Sequence, residues 1–257
     1  MNGARLLNLG CGSRSHADWV NADINPSAPG ILPLDLGNDL PFASDSFTVV
    51  YHSHVLEHLP RYRVPAFLKE CYRVLTPGGV LRVVVPDLER IARLYLELLE
   101  GAIKGDVGSQ ERYGWIVLEL FDQMVRNESG GEMLKYWKQD PMPAQDFVIE
   151  RVGSEVLNFL QTLRTGPASA ASQAEHSLLD DPAKIGKFRL SGEVHWWMYD
   201  RYSLACLLER AGFISVRRCN ADESSIRDFN SYLLDIEQDG SIRKPDSLFM
   251  EAVKPNL

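Results

Sequence analysis

Leu6-Leu7-Asn8-Leu9-Gly10-Cys11-Gly12 is a short apolar run that leads into a glycine turn, and Asp23 follows eleven residues after Gly12. The apolar residues predict a buried strand, and the glycines let the backbone after it turn tightly and approach a ligand. Residues 19–23 predict a second strand, which ends at Asp23. A glycine turn after one parallel strand and an acidic residue after the next is typical of α/β proteins that hold a nucleoside-bearing ligand.

The residues on either side of this stretch extend the same architecture. Strands are predicted at 30–35, 47–52 and 80–87, and an amphipathic helix over 64–75 ends at Thr76-Pro77-Gly78-Gly79. Near the other end of the chain, a helix at 202–211 is closed by Gly212, and strands are predicted at 213–219 and 247–253. The expected fold class is α/β, with a doubly wound, mostly parallel sheet and helices on both faces.

The region between residues 101 and 190 interrupts this alternation. Amphipathic helical stretches are predicted at 113–126, 132–137 and 144–163, followed by a polar, small-residue segment at 164–173 that we interpret as a mobile connector. We therefore expect a helical insertion at 101–190 that lies over the carboxyl edge of the sheet. Residues 1–100 and 191–257 then form the two parts of one sheet domain. The insertion's large aromatic residues are expected to pack its helices together: Trp115, Phe121, Tyr136 and Trp137.

Composition limits the class of protein and of partner. The 257 residues carry a net charge of −8 and no dense basic patch, which argues against nucleic acid as a partner. Four cysteines without metal-ligand spacing predict reduced thiols. Neither a signal-peptide pattern nor a membrane-spanning apolar run is visible. We expect a soluble, cytoplasmic protein that does not bind membranes, and the sequence leaves its oligomeric state open.

Four motifs, taken in order, carry a family resemblance. They are LNLGCG (7–12), LDLGNDLPFASDSFTVVYHSHVLEHL (34–59), FLKECYRVLTPGGVLRVVVPDL (67–88) and MYDRYSLACLLERAGF (198–213). In this order the chain resembles the class I S-adenosylmethionine-dependent methyltransferases, which have a Rossmann-like fold. More narrowly, it resembles a small bacterial group of predicted methyltransferases associated with sugar and cell-surface polysaccharide pathways.

The resemblance implies that S-adenosylmethionine is the cofactor and S-adenosylhomocysteine the product. Gly10 and Gly12 would lie under the methionine and ribose portions, and Asp23 would hold the ribose diol. Asp35, with the backbone of Leu36, would contact the adenine amino group; the alternative for Asp35 is a turn-capping aspartate before Gly37. The complete set of expected cofactor contacts is Asn8, Gly10, Cys11, Gly12, Asp23, Ile24, Asp35, Leu36, His52 and Ser53.

Histidines concentrate in HSHVLEH at residues 52–58. His54 and His58 are four residues apart, so on a helix they would share a face as a metal-binding pair does. No third ligand is evident, and Pro60 limits any helix to about one turn, so we predict no metal. The alternatives that stay open are structural hydrogen bonding and an acid/base role towards the substrate.

A further histidine, His195, lies in the aromatic segment 193–200, which predicts either a pocket wall or core packing. An apolar aromatic setting favours a neutral imidazole that can take up a proton. The predicted catalytic residues are His54, His58 and His195. Arg61 and Arg63 are interpreted as a solvated helix entry or, alternatively, as a site for an anionic group such as a phosphate.

The predicted reaction is in-line O-methylation of a small or saccharide-like acceptor, because a sulfonium methyl group is already activated and mainly needs positioning. One departure from the family matters: Ser13-Arg14-Ser15-His16 follows the glycines, and only about one helical turn fits before Asp23. This predicts an open cradle that the insertion could close. It also keeps a non-catalytic, cofactor-binding partner protein as an alternative, whereas a nicotinamide-dependent oxidoreductase would need a third glycine and a longer helix.

Overall fold

The computed structural model describes residues 5–165 and 181–256, so most of the polar segment at 164–173 lies outside the described residues. The chain divides into two compact units. The first consists of Met1–Asp87, Trp197–Ile242 and Ser247–Leu257, and the second of Leu88–Trp196 and Arg243–Asp246. These boundaries differ from those expected at residues 101 and 190. The division into a cofactor-binding half, an insertion and a C-terminal part stays a prediction.

The first unit contains a seven-stranded sheet of order β3-β2-β1-β4-β5-β7-β6. Neighbouring strands from β3 to β5 are parallel, whereas β7 is antiparallel to both β5 and β6. This arrangement confirms the predicted α/β class with a mostly parallel sheet. The strands are β1 (Leu6–Leu9), β2 (Trp19–Asp23), β3 (Leu32–Pro33), β4 (Phe47–Ser53), β5 (Leu75–Pro86), β6 (Ile214–Cys219) and β7 (Ser247–Val253).

Strand β5 begins earlier than the sequence predicts. Leu75 pairs with Phe47, and the next pair is Val80 with Val49, so the four residues Thr76-Pro77-Gly78-Gly79 lie opposite a register shift. Proline has no N–H to donate to a ladder, and Gly78 has a φ of 74°, which regular strands do not use. The four residues that end the predicted helix therefore form an irregular, bulged start of β5 rather than a separate turn.

Alternating side chains divide the sheet into two apolar faces. Two helices, α1 (Val64–Val74) and α8 (Arg201–Arg210), cover one face through residues such as Leu68 and Leu204. The capping box of Asp200 and Ser203 fixes the start of α8, and Gly212 follows its end with a φ of 104°. The other face, which includes Trp19 and Tyr51, is covered by residues 219–236, which contain a short 3-10 helix.

A buried ion network holds this covering segment on the sheet. The Arg82 side chain is fully buried; its Nε donates to Asp235 at 2.7 Å and its Nη1 to Glu251 at 2.9 Å. Its remaining N–H groups reach the backbone carbonyls of residues 220, 221 and 223. Burial raises the pKa of Glu251, but hydrogen bonds from Ser224 and Ser225 and the charge of Arg82 outweigh it and lower the pKa to about 2.

The second unit is helical in its described part: α2 (Leu88–Ile103), α3 (Val107–Val125), α4 (Gly131–Trp137), α5 (Gln145–Val152), α6 (Ser154–Thr165) and α7 (Pro182–Arg189). Trp115 is fully buried, and its ring lies against Tyr136 and Trp137, as predicted for the insertion's aromatic residues. Phe121 is 53% exposed, so its predicted packing role is wrong.

The helix predicted at 144–163 is divided into α5 and α6 at Gly153. Gly153 has a φ of 72°, and a Cβ there would lie 2.5 Å from the Arg243 carbonyl oxygen, so this position requires glycine. A buried ion pair between Glu119 and Arg151 joins α3 to α5, and the Trp115 indole donates to the same carboxylate at 3.0 Å. No helix in residues 5–165 or 181–256 combines the length and apolar character that crossing a membrane requires.

Candidate functional site

The strand order places a crevice between β1 and β4. From β1 the chain proceeds outward to β2 and β3, and from β4 it proceeds in the other direction to β5. In open α/β sheets ligands bind outside the carboxyl ends of the strands at this kind of reversal, because the connections diverge there. The residues at the two ends are Gly10 after β1 and Ser53 at the end of β4.

The glycine turn has the geometry that the sequence predicts. Gly10 has a φ of 65°, and a Cβ at this position would lie 2.3 Å from Val55 Cγ2, so any side chain would clash. Gly12 has a φ of 53°, yet a Cβ there would meet no atom within 4 Å. Gly10 is thus required by packing under the turn, whereas Gly12 leaves open space above it where a ligand can approach the backbone.

Asp23 is tied directly to this turn. The Gly12 N–H donates to Asp23 Oδ2 at 2.8 Å, and the Asn25 N–H donates to Oδ1 at 2.9 Å. A carboxylate offers about four acceptor positions, so these two bonds orient the group and leave capacity for two more donors. A carboxylate oriented in this way suits a vicinal diol, as the resemblance implies for Asp23.

No helix forms between β1 and β2, and side chains hold the loop instead. Asn8 Nδ2 donates to the Arg14 carbonyl at 2.9 Å and to Asn21 Oδ1 at 3.1 Å, and Arg14 forms an ion pair with Glu237. The Asn8 side chain is buried and engaged in these bonds. The structure therefore gives the Asn8 side chain a supporting role beneath the loop, and the expected contact of Asn8 with the cofactor stays a prediction.

Asp35 occupies its own turn. Its Oδ1 accepts from the Gly37 N–H at 2.8 Å and its Oδ2 from Asn38 Nδ2 at 3.0 Å, which is the turn-capping arrangement left open as the alternative. Leu36 is nevertheless close to the glycine turn: its Cδ1 lies 3.8 Å from the position of a Cβ on Gly10. The Asp35–Leu36 turn and the glycine turn therefore lie side by side at this edge of the sheet.

Three further predicted contacts line the same edge. Ile24 follows Asp23 and is 56% exposed, so it offers an apolar surface beside the carboxylate. The Cys11 thiol is buried, and this burial, with the neighbouring Asp23 charge, raises the pKa of Cys11 to about 11. Cys11 is therefore a neutral, unreactive thiol in the turn. Ser53 is half-buried at the last position of β4.

His52 lies in the core rather than in the crevice. Its side chain is fully buried, with its ring centroid 5.3 Å from that of Phe67, and neither ring nitrogen has a hydrogen-bond partner among the described residues. Burial lowers the pKa of His52 from its ordinary 6.5 to about 3. Strand alternation turns this imidazole towards α1, and the expected contact of His52 with the cofactor stays a prediction.

We expect His52 to make the protein sensitive to mild acid. In the unfolded chain His52 takes up a proton near pH 6.5, whereas in the folded state it does so only near pH 3. The contribution of the neutral His52 to the free energy of unfolding is therefore fully present above pH 6.5. It is lost as the pH falls towards 3, at up to about 1.4 kcal/mol per pH unit. Urea unfolding of wild type and His52→Leu across this range measures it. The variant's stability should fall less steeply with pH; parallel curves would contradict the assignment.

His54 lies at the carboxyl edge beside a serine hydroxyl and a buried carboxylate. Its Nε2 is 2.8 Å from Ser247 Oγ, and its Nδ1 is 3.2 Å from Glu57 Oε1. Glu57 is fully buried, and His54 has a φ of 53°, a conformation that non-glycine residues rarely adopt. Strained residues of this kind cluster at functional sites. A histidine with a carboxylate near one ring nitrogen and a hydroxyl on the other is a candidate general base, and its catalytic role stays a prediction.

Residues that the sequence did not single out complete this edge. Tyr199 is buried, and its burial, with the nearby Glu57 charge, raises the pKa of Tyr199 to about 12. Tyr199 also forms a parallel bridge with Asp87, directly after β5. Glu57 belongs to the HSHVLEH motif, so the sequence pointed to it. No local motif pointed to Ser247, because it lies 193 residues from His54 in the chain.

The other two predicted catalytic histidines are placed differently. His58 is the half-buried last residue of a 3-10 turn at Leu56–His58, and His54 precedes that turn. The α-helical face that the two would share as a metal pair therefore does not form. His195 is a buried residue of the second unit, where its backbone N–H donates to the Gln123 carbonyl at 2.9 Å. The catalytic roles of His58 and His195 stay predictions.

Comparison with known proteins finds a match to a methyltransferase domain in part of the first unit. Residues 31–83 match the family model described as a methyltransferase domain. A Mycobacterium ulcerans protein, a probable phthiotriol/phenolphthiotriol dimycocerosates methyltransferase, is 29% identical in an alignment of 100 residues. This alignment covers 31% of this chain and 38% of that protein. An uncharacterised Saccharomyces cerevisiae protein is 45% identical over 56 residues, 22% of this chain and 6% of that protein. The chain thus spans well under half the length of these relatives. The match over 31–83 agrees with the methyltransferase resemblance of the sequence.

Solved structures also resemble the chain at low identity. A SAM-dependent methyltransferase from Archaeoglobus fulgidus is 14% identical with a TM-score of 0.42, over 98% of this chain and 87% of that one. The Burkholderia thailandensis 1,6-didemethyltoxoflavin-N1-methyltransferase, solved with S-adenosylhomocysteine, is 10% identical with a TM-score of 0.41, over 98% and 71%. At TM-scores below 0.5 these likenesses add nothing to the assignment of the site.

Proposed function

We propose that this protein, which carries a methyltransferase-domain match at residues 31–83, is an S-adenosylmethionine-dependent methyltransferase. The observation that carries the proposal is the link between the glycine turn and Asp23 at the strand-order reversal. There the Gly12 N–H orients the Asp23 carboxylate at 2.8 Å beside open space. A nucleoside with two ribose hydroxyls is the ligand that such a carboxylate at this position suits.

The residues around the turn fit the parts of the cofactor. Asp23 retains acceptor capacity for the ribose diol, and Gly12 lets the backbone approach closely. Ile24 and Leu36 supply apolar surface on either side, which suits a purine ring. Because Asp35 caps its own turn, we assign adenine recognition to the Leu36 backbone and this apolar surface. When bound, S-adenosylmethionine supplies a methyl group that its sulfonium already activates.

Proton removal from the acceptor is the chemistry that we assign to the protein. Glu57 Oε1 lies 3.2 Å from His54 Nδ1, and Ser247 Oγ lies 2.8 Å from His54 Nε2. We assign to Nε2 the role of receiving the proton of an acceptor hydroxyl or amine, which takes the place of the Ser247 hydroxyl at this nitrogen. The Glu57 carboxylate is fully buried and so is shielded from bulk solvent. We propose O-methylation of a small or saccharide-like acceptor as the specific reaction.

Calorimetric titration with S-adenosylmethionine and S-adenosylhomocysteine, with NAD as a control, tests the cofactor assignment. We expect both sulfur compounds to bind and NAD to remain unbound, since the loop after Gly12 forms no helix for a pyrophosphate. Mass spectrometry then follows methyl transfer onto hydroxyl, amine and carbon acceptors. Binding of NAD alone would contradict the proposal; binding without transfer to any of these would favour a non-catalytic partner protein.

We expect His54→Gln to lower kcat for a hydroxyl or amine acceptor by about 10²-fold, the lower range for loss of a general base. The affinity for S-adenosylhomocysteine should remain unchanged, because the Asp23–Gly12 link lies on other residues. An unchanged kcat would exclude His54 as the base.

A further inference from the structure

Arg61 and Trp197 form an exposed pair near the carboxyl ends of β4 and β5. The Arg61 guanidinium carbon lies 4.3 Å from the centroid of the Trp197 ring. Arg61 follows the 3-10 turn after β4, and Trp197 lies two residues before Tyr199, which bridges to Asp87 at the end of β5. Both side chains are solvent-exposed, with Trp197 exposed by 38%.

The Arg61 side chain is held by stacking rather than by an opposite charge. No carboxylate of the described residues forms an ion pair with it. Its neighbour Arg63, by contrast, donates to the Gly37 carbonyl at 3.3 Å, and Arg73 pairs with Glu70. Stacking fixes the plane of a guanidinium and leaves the N–H groups at its rim able to donate.

An exposed, oriented cation of this kind is a binding element for an oxyanion. The planar fork of arginine matches phosphate and carboxylate groups with two parallel hydrogen bonds. On a chain of net charge −8, such a cation also attracts an anion locally. The neighbouring indole face can at the same time cover an apolar or sugar ring of the same molecule.

We propose that Arg61 and Trp197 form an acceptor subsite, in which Arg61 binds a phosphate or carboxylate of the methyl acceptor and Trp197 contacts the adjoining ring. The proposal rests on the methyltransferase assignment and narrows its acceptor to an anionic, ring-bearing molecule. It selects the anion-binding alternative for Arg61 over the solvated helix entry.

The test uses three ring-bearing probes of similar size: phenyl phosphate, benzoate and neutral benzyl alcohol. Binding to the full-length protein, saturated with S-adenosylhomocysteine, is followed by NMR of the indole N–H signals, with Trp197 assigned through Trp197→Phe. We expect at least one anionic probe to shift the Trp197 signal, with affinity that weakens as salt is added. Binding of phenyl phosphate alone would identify an acceptor with a phosphate group, and binding of benzoate alone an acceptor with a carboxylate. Binding of both would identify a general oxyanion site.

Three variants test the role of the guanidinium. Arg61→Gln should lower the affinity for the anionic probes about 10-fold or more, which is the loss expected when a charge-assisted hydrogen bond is removed. Arg61→Lys should lose less affinity, because lysine keeps the positive charge but lacks the planar guanidinium that donates two parallel hydrogen bonds. Arg210→Gln, at an exposed arginine in the last turn of α8, should have no effect.

The subsite would be overturned if benzyl alcohol bound as tightly as the anionic probes. It would also be overturned if Arg61→Gln bound the anionic probes as tightly as wild type. Its failure is distinguishable from failure of the proposed function, because binding of S-adenosylhomocysteine is measured separately by calorimetry. Cofactor binding without anion binding would overturn the subsite alone. Absence of cofactor binding would count against the methyltransferase assignment itself.

Discussion

Replacing Arg82 by methionine is expected to lower the free energy of unfolding by about 3–5 kcal/mol, the cost of removing one partner from a buried ion pair. The substitution leaves Asp235 and Glu251 buried without their cation, and it also strands three backbone carbonyls that accept from the guanidinium. Tyr51, which donates to the same Asp235 carboxylate, loses the charge that balances its acceptor. Equilibrium urea unfolding followed by circular dichroism measures the loss.

Arg217→Met provides a matched control for Arg82. Arg217 also donates to Glu251, at 2.8 Å, but its side chain is 39% exposed. Exposed pairs contribute about 0–1 kcal/mol, so this variant should unfold close to wild type. If Arg82→Met does not fold at all, the milder Asp235→Asn should still destabilise more than Arg217→Met. Equal stabilities of the Arg82 and Arg217 variants would show that the network does not hold residues 219–236 on the sheet.

Replacing Asp23 by alanine is expected to weaken binding of S-adenosylhomocysteine by at least about 10²-fold. The carboxylate would accept two ribose hydroxyls, and hydrogen bonds to a charged group contribute about 1.5–3 kcal/mol each. The variant also releases the Gly12 N–H that Asp23 now orients at 2.8 Å. Calorimetric titration of the variant against wild type measures the change.

Asp18→Ala is the control for Asp23, because Asp18 is an exposed aspartate directly before β2, the strand that Asp23 ends. It should bind the cofactor as wild type does, which would show that the loss in Asp23→Ala is not a general effect of charge. Urea unfolding of both variants separates a binding defect from a folding defect. Wild-type affinity in a folded Asp23→Ala protein would mean that the cofactor lies elsewhere or is absent.

The glycine turn and the strands could be read from local patterns. Strands β2 and β7 have the bounds that the sequence predicts, and Gly10 and Gly12 adopt positive φ values after β1. These features depend on residues near one another in the chain, where strand length, alternation and glycine content are expressed directly. The methyltransferase resemblance followed from the same local motifs and from their order.

The roles of individual polar side chains could not be read in this way. His52 and His54 are two residues apart and were both predicted to serve the site, yet the structure buries the first against Phe67 and places the second beside Ser247 and Glu57. Asp35 proved to cap its own turn. Which face a strand residue occupies, and what meets it there, depends on the register of neighbouring strands.

The sequence by itself determined the class of fold, the position of the glycine turn and the acidic residue at the end of β2. Only the tertiary structure decided which side chains meet at the carboxyl edge and which are buried as ions. Arg82 meets Asp235 across 153 residues, and His54 meets Ser247 across 193. Contacts between residues so far apart arise when the sheet assembles, because the antiparallel entry of β7 brings the last part of the chain against β5.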